Sequence, residues 1–209
     1  MATAGAGGGM AFRQVLTLAF VEKGDQVLLG MKKRGFGHGR WNGFGGKVEA
    51  GENVRDAAAR ELNEECGLTV SSTDLQQFGL IHFLYQGNPR VHEVHVFGTK
   101  TFSGELVESE EMAPKWWDKA DVPYDFMWPD DRIWYPLFFK GTSFRGMFFF
   151  NEDYAKISGY QVTSWDEKDV FASENWDPVA MPDLWEKIKA LPVVTMGETM
   201  EPEVVVPAP

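Results

Sequence analysis

Apolar residues recur in two rhythms along this chain, every second and every fourth position, and the switches between them outline a fold. Gln14 to Val21 is apolar and β-prone, and Glu22-Lys23-Gly24-Asp25 has turn composition before Val27-Leu28-Leu29, so the two runs predict a hairpin. Gly35 to Gly46 holds six glycines around Arg40-Trp41-Asn42, a density that no regular element tolerates, which predicts a loop. From Asn53 to Cys66 the rhythm changes. Val54, Ala58 and Leu62 recur every fourth residue with Ala57 beside them, charged side chains fill the opposite face, and Gly67 follows as a natural C′ residue. This is an amphipathic helix.

Strand-like segments return at Phe78 to Tyr85 and Val91 to Phe102, joined by Gln86-Gly87-Asn88-Pro89, with Val94 and Val96 alternating against His95 and Phe97. Trp116-Trp117 reads as a further short strand. Trp128-Pro129-Asp130-Asp131 has the chemistry of a helix start, and the aromatic-rich run to Phe139 is shortened or kinked by Pro136. Phe144 to Phe150 predicts a strand that closes the compact part. Mixed strands with one early and one late helix imply an α/β or α+β architecture, a mixed β-sheet sandwich with flanking helices. Beyond about Glu167 the pattern weakens. Only Asp183 to Ala190 looks helical, and Glu201 to Pro209 is rich in Pro and Val. The expected organisation is a flexible leader over 1–11, one domain over 12–166, and a C-terminal extension over 167–209 that is loosely packed or partly disordered.

Charge and composition narrow the partners. With 31 acidic against 20 basic residues the net charge is −11, so the surface repels polyanions on average and a nucleic-acid polymer is not expected as a partner. A small phosphorylated ligand remains compatible, because a metal ion can neutralise it locally. No apolar run approaches the roughly 20 residues that span a bilayer, so no membrane partner is expected either. The single cysteine, Cys66, leaves no internal disulfide. That usage and the absence of secretory or transit features in Met1 to Met10 suggest an intracellular protein, cytoplasmic first, with nucleus or mitochondrion compatible. A monomer is the working expectation.

Three carboxylates carry the first chemical signal. Glu61, Glu64 and Glu65 occupy neighbouring positions of one helix surface, where like charges destabilise by about 0.2 to 0.5 kcal/mol per pair unless a cation reverses the sign. Oxygen ligands without His or Cys suit Mg²⁺ or Mn²⁺ rather than Zn²⁺. Taken alone, three helical glutamates are more often a solvated acidic face with Lys or Arg partners. Here, however, they lie in a longer pattern. Gly46 is followed after five residues by Glu52, then after seven by Arg60-Glu61-Leu62, one residue, Glu64-Glu65, one residue, and Gly67-Leu68. Such a match arises by chance about once in a billion positions.

This pattern fills every fixed position of the Nudix box, and the chain resembles the Nudix hydrolase family. The resemblance implies Mg²⁺-dependent pyrophosphohydrolysis, with Mn²⁺ possible in its place. It implies that Glu61, Glu64, Glu65 and the carbonyl of Gly45 hold metal, that Glu111 adds an acidic ligand outside the box, and that Arg60 pairs with Glu52 to tie loop to helix. Metal bound there would polarise the bridging phosphates and activate water for in-line attack. Which glutamate serves as general base stays open.

Segments outside the box, Leu29 to Gly37, Gly39 to Lys47 and Met127 to Asp131, resemble the branch of the family that cleaves oxidized purine nucleoside triphosphates such as 8-oxo-dGTP and 2-hydroxy-dATP to the monophosphate and pyrophosphate. That likeness implies that Asn42, Asp130 and Asp131 read the base, that Trp128 stacks on it, and that Phe36 lies in the pocket wall. Thr17 and Lys32 fall on substrate-contacting positions, and Phe44, Gly45, Gly46, Lys47, Phe83 and Pro129 complete the implied contacts. Two close carboxylates in an apolar pocket cannot easily both ionise, so Asp130 and Asp131 could together donate and accept hydrogen bonds. Taken alone, acids after Trp-Pro are also ordinary helix-capping residues, and Trp128, Phe36, Phe83 and Phe150 ordinary core. The chain departs from that branch at Tyr85 and His92, where Phe and Met are usual. The alternatives are a Nudix enzyme for methylated purine nucleotides, dinucleoside polyphosphates or capped RNA, or a silent nucleotide- or protein-binding module.

Overall fold

The computed structural model describes residues 12–152 and 154–164, together with the backbone of two short strands, Val170–Ala172 and Val193–Val194. Strand β1 (Phe12–Lys23) organises the rest. It runs parallel to β5 (Arg90–Thr99) from Phe12↔Arg90 to Val21↔Thr99. Beyond β5 the sheet continues through β4 (Gln76–Tyr85), antiparallel to β5, and β7 (Phe144–Phe150), parallel to β4. Strands β8 (Ile157–Ser164) and β9 (Val170–Ala172) then add antiparallel neighbours. A second, antiparallel layer consists of β2 (Gln26–Lys32) flanked by β3 (Trp41–Asn42) and β6 (Met112–Asp118).

The predicted hairpin is present only at its tip. β1 and β2 pair at Glu22↔Val27 and Lys23↔Gln26 and then part, one entering each layer. The glycine loop fills the gap. Bridges Ala19↔Phe44 and Leu16↔Lys47, and a hydrogen bond from the Thr17 amide to the Gly46 carbonyl at 2.9 Å, lay Gly43 to Lys47 along β1. Only glycine fits at Gly45, since a Cβ there would come within 2.0 Å of the Thr17 carbonyl oxygen.

Both faces of β1 are buried, which explains its nearly unbroken apolar run. Phe20 enters one core with Trp134, Phe138 and Phe148 beneath helix α2 (Asp131–Phe139); Ala19 and Val21 enter another with Leu28, Ala58 and Leu62 beneath helix α1 (Val54–Cys66). The same two-sidedness governs β5, where Val96 and Phe97 point into different cores and the alternation sets one apolar face against another.

Several boundaries differ from the sequence expectation. β5 ends at Thr99 rather than Phe102, and the two-residue β3 interrupts the glycine loop. β7 does not close the sheet, because β8 pairs along its whole length. With Ser158, Gln161 and Thr163 among its side chains, β8 lacks the apolar density that marks β7. The extension supplies β9 and also β10 (Val193–Val194), which pairs parallel with β1 at Arg13 and Gln14. The expected leader over 1–11, the helix over 183–190 and the Pro- and Val-rich end lie outside the described residues. Among the described residues no helix is long and apolar enough to cross a membrane.

Candidate active site

Helix α1 begins at Asn53, whose side chain accepts from the Arg55 amide, and stops at Gly67, which takes the left-handed conformation (φ 78°) and donates to the Asn63 carbonyl. Ala57, Ala58, Leu62 and Cys66 anchor its apolar stripe, and Glu65 falls on that stripe as well. Buried there, Glu65 accepts from the Gly45 amide at 2.9 Å and from Lys32 Nζ at 3.2 Å. Burial pushes its pKa up, against the opposing pull of Lys32 and the Gly45 amide. Glu61 is likewise pushed up by burial, with Arg60 opposing. It lies so near the loop that a Cβ at Gly46 would approach its carboxylate to 2.5 Å.

Arg60 ties helix to loop. Its Nε and Nη2 bind Glu52 at 2.8 and 3.0 Å, Nη1 reaches Glu61 at 2.9 Å and Glu64 at 3.2 Å, and Nη2 also donates to the Lys47 carbonyl at 3.3 Å. A planar fork suits this work where a lysine would not. Lys32 performs a similar service across the cavity mouth, bridging Glu65 to Glu111 (2.8 Å), which Arg34 also holds at 2.8 Å.

These acids form an oxygen-only donor set suited to a hard divalent cation. Among the described residues, though, no three of them converge as a ready cage, because Arg60 separates Glu61 and Glu64 from the pair bridged by Lys32. Carboxylates left without an ion find the nearest ammonium or guanidinium. Part-buried Glu61 and buried Glu65 have their pKa pushed up by burial against the pull of these partners, and their oxygen donors are of the kind a divalent ion takes.

A cavity of about 510 Å³ opens from this acidic mouth and ends at the first turn of α2. Asp130 and Asp131 are both 2% exposed. Asp130 accepts from the Trp134 indole Nε1 at 2.9 Å, and Asp131 accepts from the Trp128 amide, ahead of the helix, at 2.9 Å, so neither acid caps the first-turn amides of α2 with its side chain. Burial raises Asp130 to about 6; burial and then the Asp130 charge raise Asp131 well above the ordinary range. Trp128 carries Phe36 stacked at 4.8 Å and the Arg40 guanidinium 4.6 Å above its ring.

Most of the residues singled out in the sequence meet at this cavity. Thr17, Lys32, Phe36, Asn42, Phe83 and Trp128 line it, as do Gly45, Gly46, Lys47, Glu65, Glu111 and the aspartate pair. Thr17 Oγ1 is buried with no hydrogen-bond partner among the described residues, and so is free for a ligand. Two expectations need correction. Phe44 is fully buried in the core beneath α1, its ring turned from the cavity because the loop strand alternates about Gly43 and Gly45, and Pro129 does not reach the lining. Glu61 and Glu64 lie at the mouth rather than on the lining. The structure adds Arg40, the arginine within the glycine loop, and Trp134, four residues on from Asp130 and so on its helix face, a spacing that could have pointed to it.

Comparison with known proteins gives one consistent result. The NUDIX domain model matches residues 11–138. An oxidized purine nucleoside triphosphate hydrolase of Danio rerio is 48% identical over 137 residues, 66% of this chain and 86% of that protein. The protein of the same name from Mus musculus is 45% identical over 153 residues, 73% of this chain and 96% of its own length. Among solved structures, a mutator MutT protein from Bacillus halodurans superposes with a TM-score of 0.60 at 27% identity, covering 71% of this chain and 97% of that one.

Proposed function

Because the chain belongs to the Nudix hydrolase family, we propose that it hydrolyses oxidized purine nucleoside triphosphates, of the kind exemplified by 8-oxo-dGTP and 2-hydroxy-dATP, to the monophosphate and pyrophosphate. The observation that carries the reading is the buried aspartate pair. An enzyme that needed only to hold a purine would gain nothing from two carboxyls placed where charge is costly. Sharing a proton, Asp130 and Asp131 present a donor and an acceptor side by side and can match the edge of an oxidized guanine or a hydroxylated adenine.

Each residue then has a task. Trp128, in contact with Phe36 and Arg40, supplies the aromatic surface for the purine, and Asn42 adds an amide to the cavity lining. The triphosphate extends toward Lys32, Gly45, Gly46 and Lys47, whose positive charges and close backbone receive it. Nudix hydrolases use divalent metal ions, and Glu61, Glu64, Glu65 and Glu111 with the Gly45 carbonyl would hold Mg²⁺ or Mn²⁺ here. The ion would offset phosphate charge and activate water. Lys32, paired with Glu65 and Glu111 in this structure, would be available to the substrate if those carboxylates held the ion.

Purified protein with Mg²⁺ should release pyrophosphate from 8-oxo-dGTP or 2-hydroxy-dATP with a KM far below that for dGTP or dATP. Equal kcat/KM for oxidized and ordinary purines would overturn the reading.

A further inference from the structure

One wall of the cavity carries polarity that the proposed chemistry does not account for. Leu16, Leu18, Phe83, Val94 and Phe150 make that side apolar, yet Tyr85 and His92 stand among them. Strand register explains the placement. His92 on β5 faces Phe83 on β4 across the ladder, and Tyr85 follows two residues along on the same face. The tyrosine ring is wedged between the His92 ring (5.2 Å, 73°), Phe150 (5.8 Å) and Tyr154 (4.7 Å), and its hydroxyl lies 3.2 Å from His92 Nδ1. His92 Nε2 has no hydrogen-bond partner among the described residues.

Burial, reinforced by the charges of Arg90 and Lys47, lowers the His92 pKa to about 4, so the ring is neutral near pH 7. Burial also raises the Tyr85 phenol, with the Asp130 charge adding to it, so the hydroxyl keeps its proton. Two neutral groups joined by one hydrogen bond have two arrangements. With Tyr85 donating to Nδ1, Nε2 bears the proton and donates; with Nδ1 donating to the tyrosine oxygen, Nε2 accepts. Reversing that one bond changes what the wall presents and leaves the net charge unchanged. His92 is only partly buried and lines the cavity, so its second ring nitrogen remains reachable for a ligand.

We propose that His92 is a specificity-determining residue that hydrogen bonds, through Nε2, the polar edge of an oxo- or hydroxy-purine in the cavity, and that Tyr85 is the positioning residue that holds its ring and is hydrogen-bonded to Nδ1 in either tautomer. The assignment rests on the function proposed above. It adds to the aspartate pair a second group able to donate or accept, on a different wall, so that a base is read on more than one edge.

The test compares wild type, His92→Met, Tyr85→Phe and the double variant on 8-oxo-dGTP, 2-hydroxy-dATP, dGTP and dATP with Mg²⁺. Calorimetric binding of the matching monophosphates without metal gives a readout independent of turnover. His92→Met should raise KM for at least one oxidized substrate about three- to tenfold, with the loss in KM rather than kcat and a parallel loss of monophosphate affinity. Tyr85→Phe should show part of that loss, and the double variant no more than His92→Met alone, because the hydroxyl acts only through the imidazole. His92→Gln, which can also donate or accept, should recover part of the affinity, and it decides the matter if the methionine variant fails to fold. A wild-type substrate ranking and KM in His92→Met, or additive losses in the double variant, would overturn the proposal. If wild type itself shows no preference for oxidized purines, the functional reading fails instead. The variants are then compared on whichever purine triphosphate has the lowest KM, which still decides the role of the pair.

Discussion

At the mouth of the cavity Glu61 and Glu64 share Arg60 while Glu65 and Glu111 share Lys32, and at the far end Asp130 and Asp131 form no ion pair and accept from neutral donors, the Trp134 indole and the Trp128 amide, with the Arg40 charge acting on them from a distance. Both regions concentrate acids, and they settle the charge by different means. The mouth offsets it with cations and keeps it available for exchange with an ion and a polyphosphate. The far end reduces it by burial, which holds a proton on the pair, on Asp131 before Asp130, and turns part of the charge into hydrogen-bonding capacity. One end is built to be fully ionised and the other to keep one proton between two carboxyls.

The largest expected effect falls at the mouth. Glu65→Gln keeps the shape and an acceptor for the Gly45 amide but removes a charge from the implied metal set, and kcat/KM with Mg²⁺ should drop on the order of a hundredfold or more. Binding of an oxidized purine monophosphate without metal should stay within a few-fold of wild type. Retained activity in Glu65→Gln would remove this residue from the metal set and with it the division of labour between the ends.

Asp130→Asn probes the other end and should give the converse pattern. The Mg²⁺ dependence is expected to match wild type, while the preference for oxidized over ordinary purine triphosphates falls about tenfold or more, since an amide cannot share a proton with Asp131. Unchanged KM and unchanged substrate order would refute the base-reading assignment and leave the mouth untouched.

The two ends also differ in how far they could be read from sequence. Local spacing specifies the mouth: the box fixes Gly46, Glu52, Arg60 and the three glutamates, and helical geometry alone brings the last three to one surface. What spacing could not show is that Glu65 belongs to the buried stripe, since charged residues are normally assigned to the solvent side. The far end is assembled from β1, β4, β5, β7 and α2, which lie far apart in sequence, so no local rhythm announces it. Asp130 and Asp131 look like caps, and Tyr85 and His92 look like the end of a hairpin; only the packing of α2 against the sheet makes them neighbours. Phe44 fails for a related reason. The resemblance implied a ligand contact there, but the bridge to Ala19 turns its ring into the core. β8 went unseen because its apolar face is short, with only Tyr160 and Val162 alternating against Gln161 and Thr163 before Ser164 ends it.

A smaller effect, on stability rather than turnover, separates the ends most cleanly. The folded-state pKa of Asp131 is raised above its unfolded value by burial and by Asp130, so its contribution to stability is fully present below the unfolded carboxylate pKa near 4 and is lost as pH rises through the folded value. Asp131→Asn removes the titration and keeps an acceptor for the Trp128 amide. Thermal melting should therefore show the variant a few degrees more stable than wild type at pH 8, with the gap closing toward pH 4, where both carry a neutral side chain. Glu65→Gln makes a useful counterpart, because the same substitution at the mouth strips a partner from Lys32 and brings a weaker gain or none. A gap between Asp131→Asn and wild type that stays constant from pH 4 to pH 8 would mean that the far end does not hold its proton by burial, and the contrast between the two ends would not stand.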